Sequence, residues 1–349
     1  MAACDLHWQV TPRLDATPRH LAVTLTMQTG NRARTQVELP PPWAGVDDFA
    51  AHVVDLQAAD SQAALEAVPG QPLARRITHR PGETVQVRYR VTSPIADADA
   101  ATPRSHRDSY RTLLGARWFQ AFGHAWVPVL PDWPDTAQAR LCVDFDGLPD
   151  GSWWIGSHGA SQGASASIRF KGSLGLLRHA VYLGGELQSR ERKVDGRSVW
   201  LAMPPTTPFA VRIDEVSDRV AAMIDAQRRF WRDAGPTMQL VVLQPNHQAT
   251  GNFGGTAVHQ AFAMHAPNDL AVPSPAFDHL VAHEQLHQWI PDRFGPMVYT
   301  GQGDEARRYW FSEGFTDFYT HRLLVAAGLW TLEDYARALN AKIDRYRQS

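Results

Sequence analysis

The sequence has little cysteine. Its 349 residues include only two, Cys4 and Cys142, and no CxxC pair. Two cysteines cannot build a disulfide framework, so the fold has to rest on its hydrophobic core. A chain of this kind tolerates a reducing compartment.

Long apolar segments and an excess of positive charge are also missing. No run approaches the roughly 20 apolar residues of a membrane-spanning helix, and the first 20 residues lack the basic start and apolar centre of a secretory signal. The net charge is −2 and the pI is near 6.7, which gives no support to nucleic acid or an anionic membrane as a partner. These absences predict a cytoplasmic protein without a transmembrane segment.

What is present is a globular composition with room for two domains. Apolar residues make up 44% and charged residues 20% of the chain, as is usual for a folded core. In the first part of the chain, short β-branched or alternating segments are separated by Gly, Pro and Asp clusters, a pattern typical of a β-sandwich. The predicted strands are 21–27, 35–40, 83–93, 139–145, 166–172 and 197–203. Residues 93–105 and 158–167 are poor in core-forming residues and are interpreted as exposed loops.

The pattern changes near residue 205. A helix is predicted over 212–231, where apolar residues recur at helical spacing. A strand is predicted over 238–245, a glycine-rich entry into a further strand over 251–265, and helices from Ser274 onward. We therefore predict an α+β protein with an N-terminal β-sandwich domain over 1–204 and a mostly α-helical second domain over 205–349.

A short motif in the second domain has the spacing of a metal site. Residues 281–290 read VAHEQLHQWI and contain a His-Glu-x-x-His motif at His283, Glu284 and His287. Ser274 as N-cap and Pro275 in the first turn predict a helix that begins there and ends at Pro291. Residues four apart share a helix face, so both imidazoles can reach one Zn²⁺, with Glu284 beside it as general base for a zinc-bound water. The alternative is a coincidental match on a buried helix.

A third ligand is available downstream, in the segment WFSEGFTDFY (310–319). Glu313 lies on a second predicted helix that can pack against the first, and Asp317 shares its face, where a carboxylate can accept the remaining ring N–H of a ligating histidine. Two His and one Glu leave a fourth position open, as in catalytic zinc sites. We predict one Zn²⁺ per chain, although Co²⁺ or Mn²⁺ can occupy such a site. His279 is interpreted as a second-layer or surface residue rather than a further ligand.

These segments resemble the glycyl aminopeptidase family of gluzincin zinc metallopeptidases. HEQLHQW (283–289) is similar to the family's HExxHxW helix, WFSEGFTDFYTHRLL (310–324) to its WxxEGFTxYY helix, and PPPWAGVDDFAAHVVDL (40–56) to part of its N-terminal β-domain. The resemblance implies a thermolysin-like catalytic domain in which His283, His287 and Glu313 bind zinc and Glu284 is the general base. It also implies peptide substrates and an aminopeptidase that favours small N-terminal residues such as Gly and Ala.

The sequence departs from the family pattern in two places. Where relatives have a GGLEH-type segment, this chain has GGTAVH, and Ala257 stands at the position of the Glu expected to bind the substrate's α-amine. An endopeptidase without that anchor is therefore an alternative. Relatives also continue with further helices and a PDZ domain, so we expect a catalytic domain truncated at its C-terminal end. Loss of the oxyanion-stabilising tyrosine with that end leaves open a catalytically impaired, zinc-containing binding protein. The substrate-binding candidates are Gly254, Gly255, Thr256, Ala257 and His259.

Overall fold

The computed structural model describes residues 4–59, 65–205, 213–248, 253–269, 274–290 and 305–348, with the backbone alone for 305–309. Its contacts divide the chain into two units. The first contains the residues up to Leu187 together with Pro204 and Pro205, and the second contains the other residues from Gln188 onward. Each unit has a hydrophobic core of its own.

In the described residues, the regular secondary structure of the first unit consists mostly of β-strands. They are β1 (Leu6–Arg13), β2 (His20–Gln28), β3 (Arg34–Glu38), β4 (Val53–Ala58), β5 (Leu65–Val68), β6 (Gln71–Thr78), β7 (Thr84–Val91), β8 (Leu113–Leu114), β9 (Trp118–Phe122), β10 (Ala139–Phe145), β11 (Trp153–Gly156), β12 (Gly159–Gln162), β13 (Ala166–Gly172) and β14 (Val181–Gly185). Two short α-helices, α1 (Gly123–Trp126) and α2 (Leu174–Arg178), and two 3-10 helices, Phe49–His52 and Arg107–Tyr110, lie between these strands.

These strands form three sheets. The largest has the order β13-β10-β1-β2-β7-β4, the second the order β12-β11-β14-β9-β8, and the third the order β3-β6-β5. Alternation places one face of β1 in the core through Leu6, Trp8 and Val10, all fully buried. Phe119 of β9 and Tyr182 of β14 belong to the same core cluster, so the two larger sheets share one apolar interior, as the predicted sandwich requires.

Cys4 and Cys142 are joined by a disulfide in this unit, with their Cα atoms 6.0 Å apart. The bridge connects the chain just before β1 to β10, its parallel neighbour in the sheet. Disulfides persist mainly in oxidising compartments. The cytoplasmic location therefore stays a prediction, and the bridge counts against it.

Where the structure describes it, the second unit combines one sheet with four helices. Its elements are β15 (Gln188–Val194), β16 (Arg197–Met203), α3 (Ile213–Trp231), β17 (Met238–Pro245), β18 (Gly254–Val258), β19 (Ala261–Ala266), α4 (Pro275–Leu286), α5 (Glu305–Ala326) and α6 (Leu332–Gln348). The sheet has the order β15-β16-β17-β19-β18, so β18 is an edge strand. Helix α3 packs on β15 and β16, and α4 packs on α3, α5, β18 and β19.

Two expectations differ from this arrangement. The boundary between the units falls after Leu187 rather than near residue 205, because β16 pairs with β17 of the second unit and β15 pairs with β16. The interpretation of residues 158–167 as a loop is wrong, since β12 and the start of β13 lie there and β12 forms a hairpin with β11. Small residues hid these strands from a pattern based on apolar side chains.

The described part of the chain contains no helix that is long and apolar enough to cross a membrane.

Candidate metal centre

Helix α4 begins where the sequence predicts it. The Ser274 hydroxyl accepts a hydrogen bond from the Phe277 N–H at 3.2 Å, and Pro275 occupies the first turn, where no N–H is needed. The helix ends at Leu286, and His287 is its C-cap with helical dihedral angles of φ −58° and ψ −18°. His287 thus stays one turn beyond His283. The predicted end at Pro291 lies outside the described residues.

Helix α5 brings the third predicted ligand to this face. Glu313 Oε2 lies 3.0 Å from His283 Nε2 and 3.8 Å from His287 Nε2. All three potential ligand atoms lie within 4.8 Å of one another. Two ligands of a tetrahedral zinc at about 2.0–2.1 Å lie about 3.3 Å apart. The two imidazoles and the carboxylate therefore fit the demands of one Zn²⁺.

The other ring nitrogens of both histidines are held by oxygen acceptors. His283 Nδ1 lies 3.0 Å from Asp317 Oδ1, and His287 Nδ1 lies 2.8 Å from the carbonyl oxygen of Ile290. In the neutral imidazole, a proton held on Nδ1 leaves the lone pair on Nε2, on the side of Glu313, which is the tautomer that a metal needs. Asp317 stands where the sequence predicted a supporting carboxylate.

Asp317 collects further donors. His279 Nε2 lies 3.0 Å from the same Oδ1 atom, and the Lys342 ammonium of α6 donates to Oδ2. The interpretation of His279 as a second-layer residue agrees with this contact. Sequence reasoning missed Lys342, because no local spacing relates a residue on α6 to a carboxylate on α5.

The carboxylates and imidazoles shift one another's protonation. Burial opposes the charge of His283, but hydrogen bonds to Asp317 and Glu313 outweigh it and raise its pKa to about 9. Burial also opposes the charge on Asp317, yet its three donors hold its pKa well below the ordinary range. Glu313, hydrogen-bonded to His283, likewise has a lowered pKa. The two carboxylates thus favour a positive charge at His283, which is a proton when no metal is bound, and a metal at Nε2 has to displace that proton.

Glu284 differs from the other carboxylates. Burial raises its pKa above the usual value, and the charge of Glu313 acts in the same direction, while His287 and His283 act against them. A carboxylate whose pKa is moved towards neutrality is a more effective general base than one that titrates near 4.

The substrate-binding candidates lie on β18 and in the turn after it. A Cβ atom on Gly255 would come within 2.3 Å of the Phe262 ring, and one on Gly254 within 3.2 Å of the His265 ring. Packing against β19 therefore requires glycine at position 255 and favours it at position 254, independently of any substrate. Thr256 and Ala257 are half-buried on β18, next to α4. His259 lies in the β18–β19 turn, 3.1 Å from the Gln260 amide nitrogen.

In the comparison with known proteins, the family match falls on the part of the chain that contains the predicted metal ligands. Residues 276–349 match the family model of the M61 glycyl aminopeptidases. No curated protein matches this sequence. Among solved structures, an aminopeptidase N family protein from Idiomarina loihiensis superposes with a TM-score of 0.73 at 17% identity, over 95% of this chain and 56% of that chain. A two-domain M1 zinc metallopeptidase bound to L-tryptophan gives 0.50 at 16% identity, over 97% and 74%.

At these identities the structural likeness concerns the fold alone, and this chain spans about half the length of the Idiomarina protein. The family match is more specific, because it covers both helices that carry the predicted metal ligands. The predicted resemblance to the glycyl aminopeptidase family is therefore confirmed for residues 276–349, the segment that contains His283, Glu284, His287 and Glu313.

Proposed function

We propose that the protein is a zinc-dependent metallopeptidase that binds one Zn²⁺ through His283, His287 and Glu313. The observation that carries this proposal is the convergence of two imidazole Nε2 atoms on Glu313 Oε2, at 3.0 and 3.8 Å, with the opposite nitrogen of each ring already hydrogen-bonded. An accidental HExxH sequence on a buried helix has no reason to meet a carboxylate from another helix in this way. The match to the glycyl aminopeptidase family supports the proposal.

Each residue of the site has its own role in the proposed reaction. Zinc, when bound, supplies Lewis acidity: it lowers the pKa of water to about 7 and polarises the scissile carbonyl. Glu284 accepts the proton of the attacking water and passes it to the leaving amine, a role that its burial-raised pKa favours. Asp317 orients His283, and the Ile290 carbonyl orients His287.

For the substrate class, we propose peptides with a free N-terminus and a small first residue, as the family match suggests. Ala257 favours a second candidate, an endopeptidase. It replaces the carboxylate expected to bind an α-ammonium group, and an ammonium without an anionic partner in a half-buried cleft is disfavoured by about 1–3 kcal/mol. The two candidates share the zinc chemistry and differ in what they require of the N-terminus.

The test combines elemental analysis with peptide turnover. Wild-type protein is expected to hold close to one zinc per chain and to hydrolyse peptides. Glu284→Gln is expected to keep the zinc and lose about 10²–10⁴-fold in kcat, whereas His287→Ala is expected to lose both. Glu333→Gln is the matched control, because it makes the same change on an exposed side chain of α6.

The outcomes separate the alternatives. Unchanged turnover in Glu284→Gln would exclude this mechanism. One zinc per chain with no turnover of any peptide in a mixed library would instead identify a zinc-containing binding protein. Parallel assays with free and N-acetylated peptides distinguish the two peptidases, since an aminopeptidase rejects the blocked form and an endopeptidase cleaves it.

A further inference from the structure

Helix α6 is attached to the second unit by a narrow contact face. None of its residues is fully buried. Its half-buried residues are Asp334, Tyr335, Ala338 and Lys342, which recur at helical spacing along one side. The Tyr335 ring lies 6.2 Å from the ring of His321 on α5, and Lys342 is the last residue of the row. The helix therefore depends on a few contacts with α5.

One of these contacts leads directly to the candidate metal centre. The Lys342 ammonium donates to Asp317 Oδ2, while Asp317 Oδ1 lies 3.0 Å from His283 Nδ1. About two thirds of the Lys342 side chain and three quarters of the Asp317 side chain are shielded from solvent, since they are 33% and 26% exposed. Partial burial makes this ion pair stronger than an open surface pair. The carboxylate thus has a cation on one oxygen and the ligand histidine on the other.

A second metal ion does not fit this cluster. His279, Asp317 and His321 have potential ligand atoms within 4.8 Å of one another. However, the Lys342 ammonium already supplies a positive charge at the shared carboxylate, and a dication beside it would be repelled. His321 is also stacked on the Trp330 ring, at 5.4 Å and 20°. We therefore interpret the cluster as a support for the first site, in which the Lys342 ammonium takes the place of a second metal ion beside Asp317.

We propose that Lys342 is a positioning residue for the metal centre, and that docking of α6 on α5 and zinc binding to His283, His287 and Glu313 are coupled through Asp317. The inference rests on the proposed function only in requiring that zinc binds to these ligands. With Oδ2 held by the lysine, Oδ1 stays directed at His283 Nδ1, and the ring keeps the orientation that a metal needs. Because such coupling is reciprocal, zinc must stabilise the docked helix as much as the docked helix favours zinc.

The first test measures the zinc dissociation constant by chelator competition. Lys342→Met keeps the aliphatic stem and removes the charge, and it is expected to weaken zinc binding about tenfold, the lower end of the effect of removing a supporting residue. Lys342→Arg is expected to restore most of the affinity. Arg337→Met is the matched control, because Arg337 lies on α6 but pairs with Glu333 and Asp334 of the same helix. In an Asp317→Asn background, Lys342→Met is expected to have no further effect.

The second test begins with the wild-type chain. Addition of zinc to the wild-type chain is expected to slow hydrogen exchange of the α6 amides, over residues 332–348, and this protection is expected to be lost in Lys342→Met. Zinc affinity within twofold of wild type in Lys342→Met, or α6 exchange that zinc leaves unchanged in the wild type, would overturn the coupling alone. A wild-type chain that binds no zinc would overturn the proposed function, and the coupling with it.

Discussion

At the scale of single residues, the site is defined by which nitrogen of each histidine is engaged. Both Nδ1 atoms have oxygen partners and both Nε2 atoms face Glu313. An imidazole free to rotate or to exchange tautomers would bind a metal only in a fraction of its states. The hydrogen bonds behind the ligands therefore matter almost as much as the ligands themselves.

This reasoning gives a prediction for Asp317. Asp317→Asn keeps an oxygen acceptor but removes the charge that stabilises the His283 N–H donor, and it is expected to weaken zinc binding about 10–100-fold. Equilibrium dialysis against a chelator measures the effect. Asp344→Asn on the exposed side of α6 makes the same change away from the site and is expected to leave the affinity unaltered. Equal affinities in the two variants would show that His283 needs no carboxylate behind it.

The second prediction at this scale concerns Ala257. Ala257→Glu supplies a carboxylate on the edge strand beside α4 and is expected to raise the preference for free over N-acetylated peptides. A hydrogen bond to a charged group contributes about 1.5–3 kcal/mol, which corresponds to roughly 10–100-fold in kcat/KM. Ala257→Gln is the control, since it has nearly the same shape without the charge. Identical preferences in the Glu and Gln variants would mean that this position lies away from the substrate amine.

At the scale of elements, helix α4 is fixed by polar contacts with α3 as well as by packing. The Gln227 side-chain amide donates to the Ala282 carbonyl at 2.7 Å, and Arg219 forms an ion pair with Asp278, which is only 1% exposed. Both contacts lie on the helix that carries His283. The position of the first two metal ligands thus depends on α3, which contains no residue of the site.

The pair of Arg219 and Asp278 gives a prediction with a defined pH dependence. Burial raises the pKa of Asp278 above its unfolded value near 3.9, and the Arg219 guanidinium opposes that rise. Arg219→Met removes the opposing charge and leaves a buried carboxylate, which is expected to cost about 3 kcal/mol at pH 7. A group with a raised folded pKa favours the folded state where it is protonated, so the loss is expected to shrink as the pH falls towards the ordinary carboxyl range.

Urea unfolding of the second unit at several pH values measures this dependence. The double variant Arg219→Met with Asp278→Asn is the control, because it has no carboxylate to protonate and its stability relative to wild type is expected to lose most of the pH trend. A destabilisation in Arg219→Met that stays constant with pH would contradict the electrostatic explanation and assign the loss to packing of the arginine stem.

The elements also show what the sequence can and cannot predict. The bounds of β10, β13, β16 and β17 are those predicted, because each is a continuous run of strand-forming residues between turn residues. Strands β9 and β14 were not predicted: they are buried on both faces and show no alternation. The hairpin of β18 and β19 was predicted as one strand, since the residues of its turn, His259 and Gln260, are not typical turn formers.

The residues of the candidate site likewise divide into those that local spacing predicts and those that it does not. His283, Glu284 and His287 could be predicted together because a single helical turn fixes their relation. Glu313 and Asp317 were predicted from their place on a second helix, and the resemblance to a known family then implied Glu313 as well. Lys342 and Arg219 could not be predicted, because the fold alone decides which charged residue of one helix meets which carboxylate of another. Whether the named residues perform the proposed roles stays a prediction.

At the scale of the whole molecule, the chain is divided into two units with separate cores. All residues of the candidate metal centre lie in the second unit. The disulfide of Cys4 and Cys142 lies in the first. A change in the stability of one core is therefore expected to leave the other largely unaffected.

The disulfide allows a direct test of this independence. Its cysteines are 138 positions apart. Closing so long a loop lowers the conformational entropy of the unfolded chain, which raises the free energy of unfolding by up to about 5 kcal/mol. Cys4→Ala and Cys142→Ala are both expected to speed hydrogen exchange in β1 and β10, and reduction of the wild type to do the same, while zinc per chain and the exchange of α4 stay unchanged. If either variant also lost zinc, the two units would not be independent. Wild-type protein made in a reducing cytoplasm could instead have two free thiols per chain and the same exchange rates as the oxidised form. The bridge would then contribute nothing to the fold, and the predicted cytoplasmic location would no longer conflict with it.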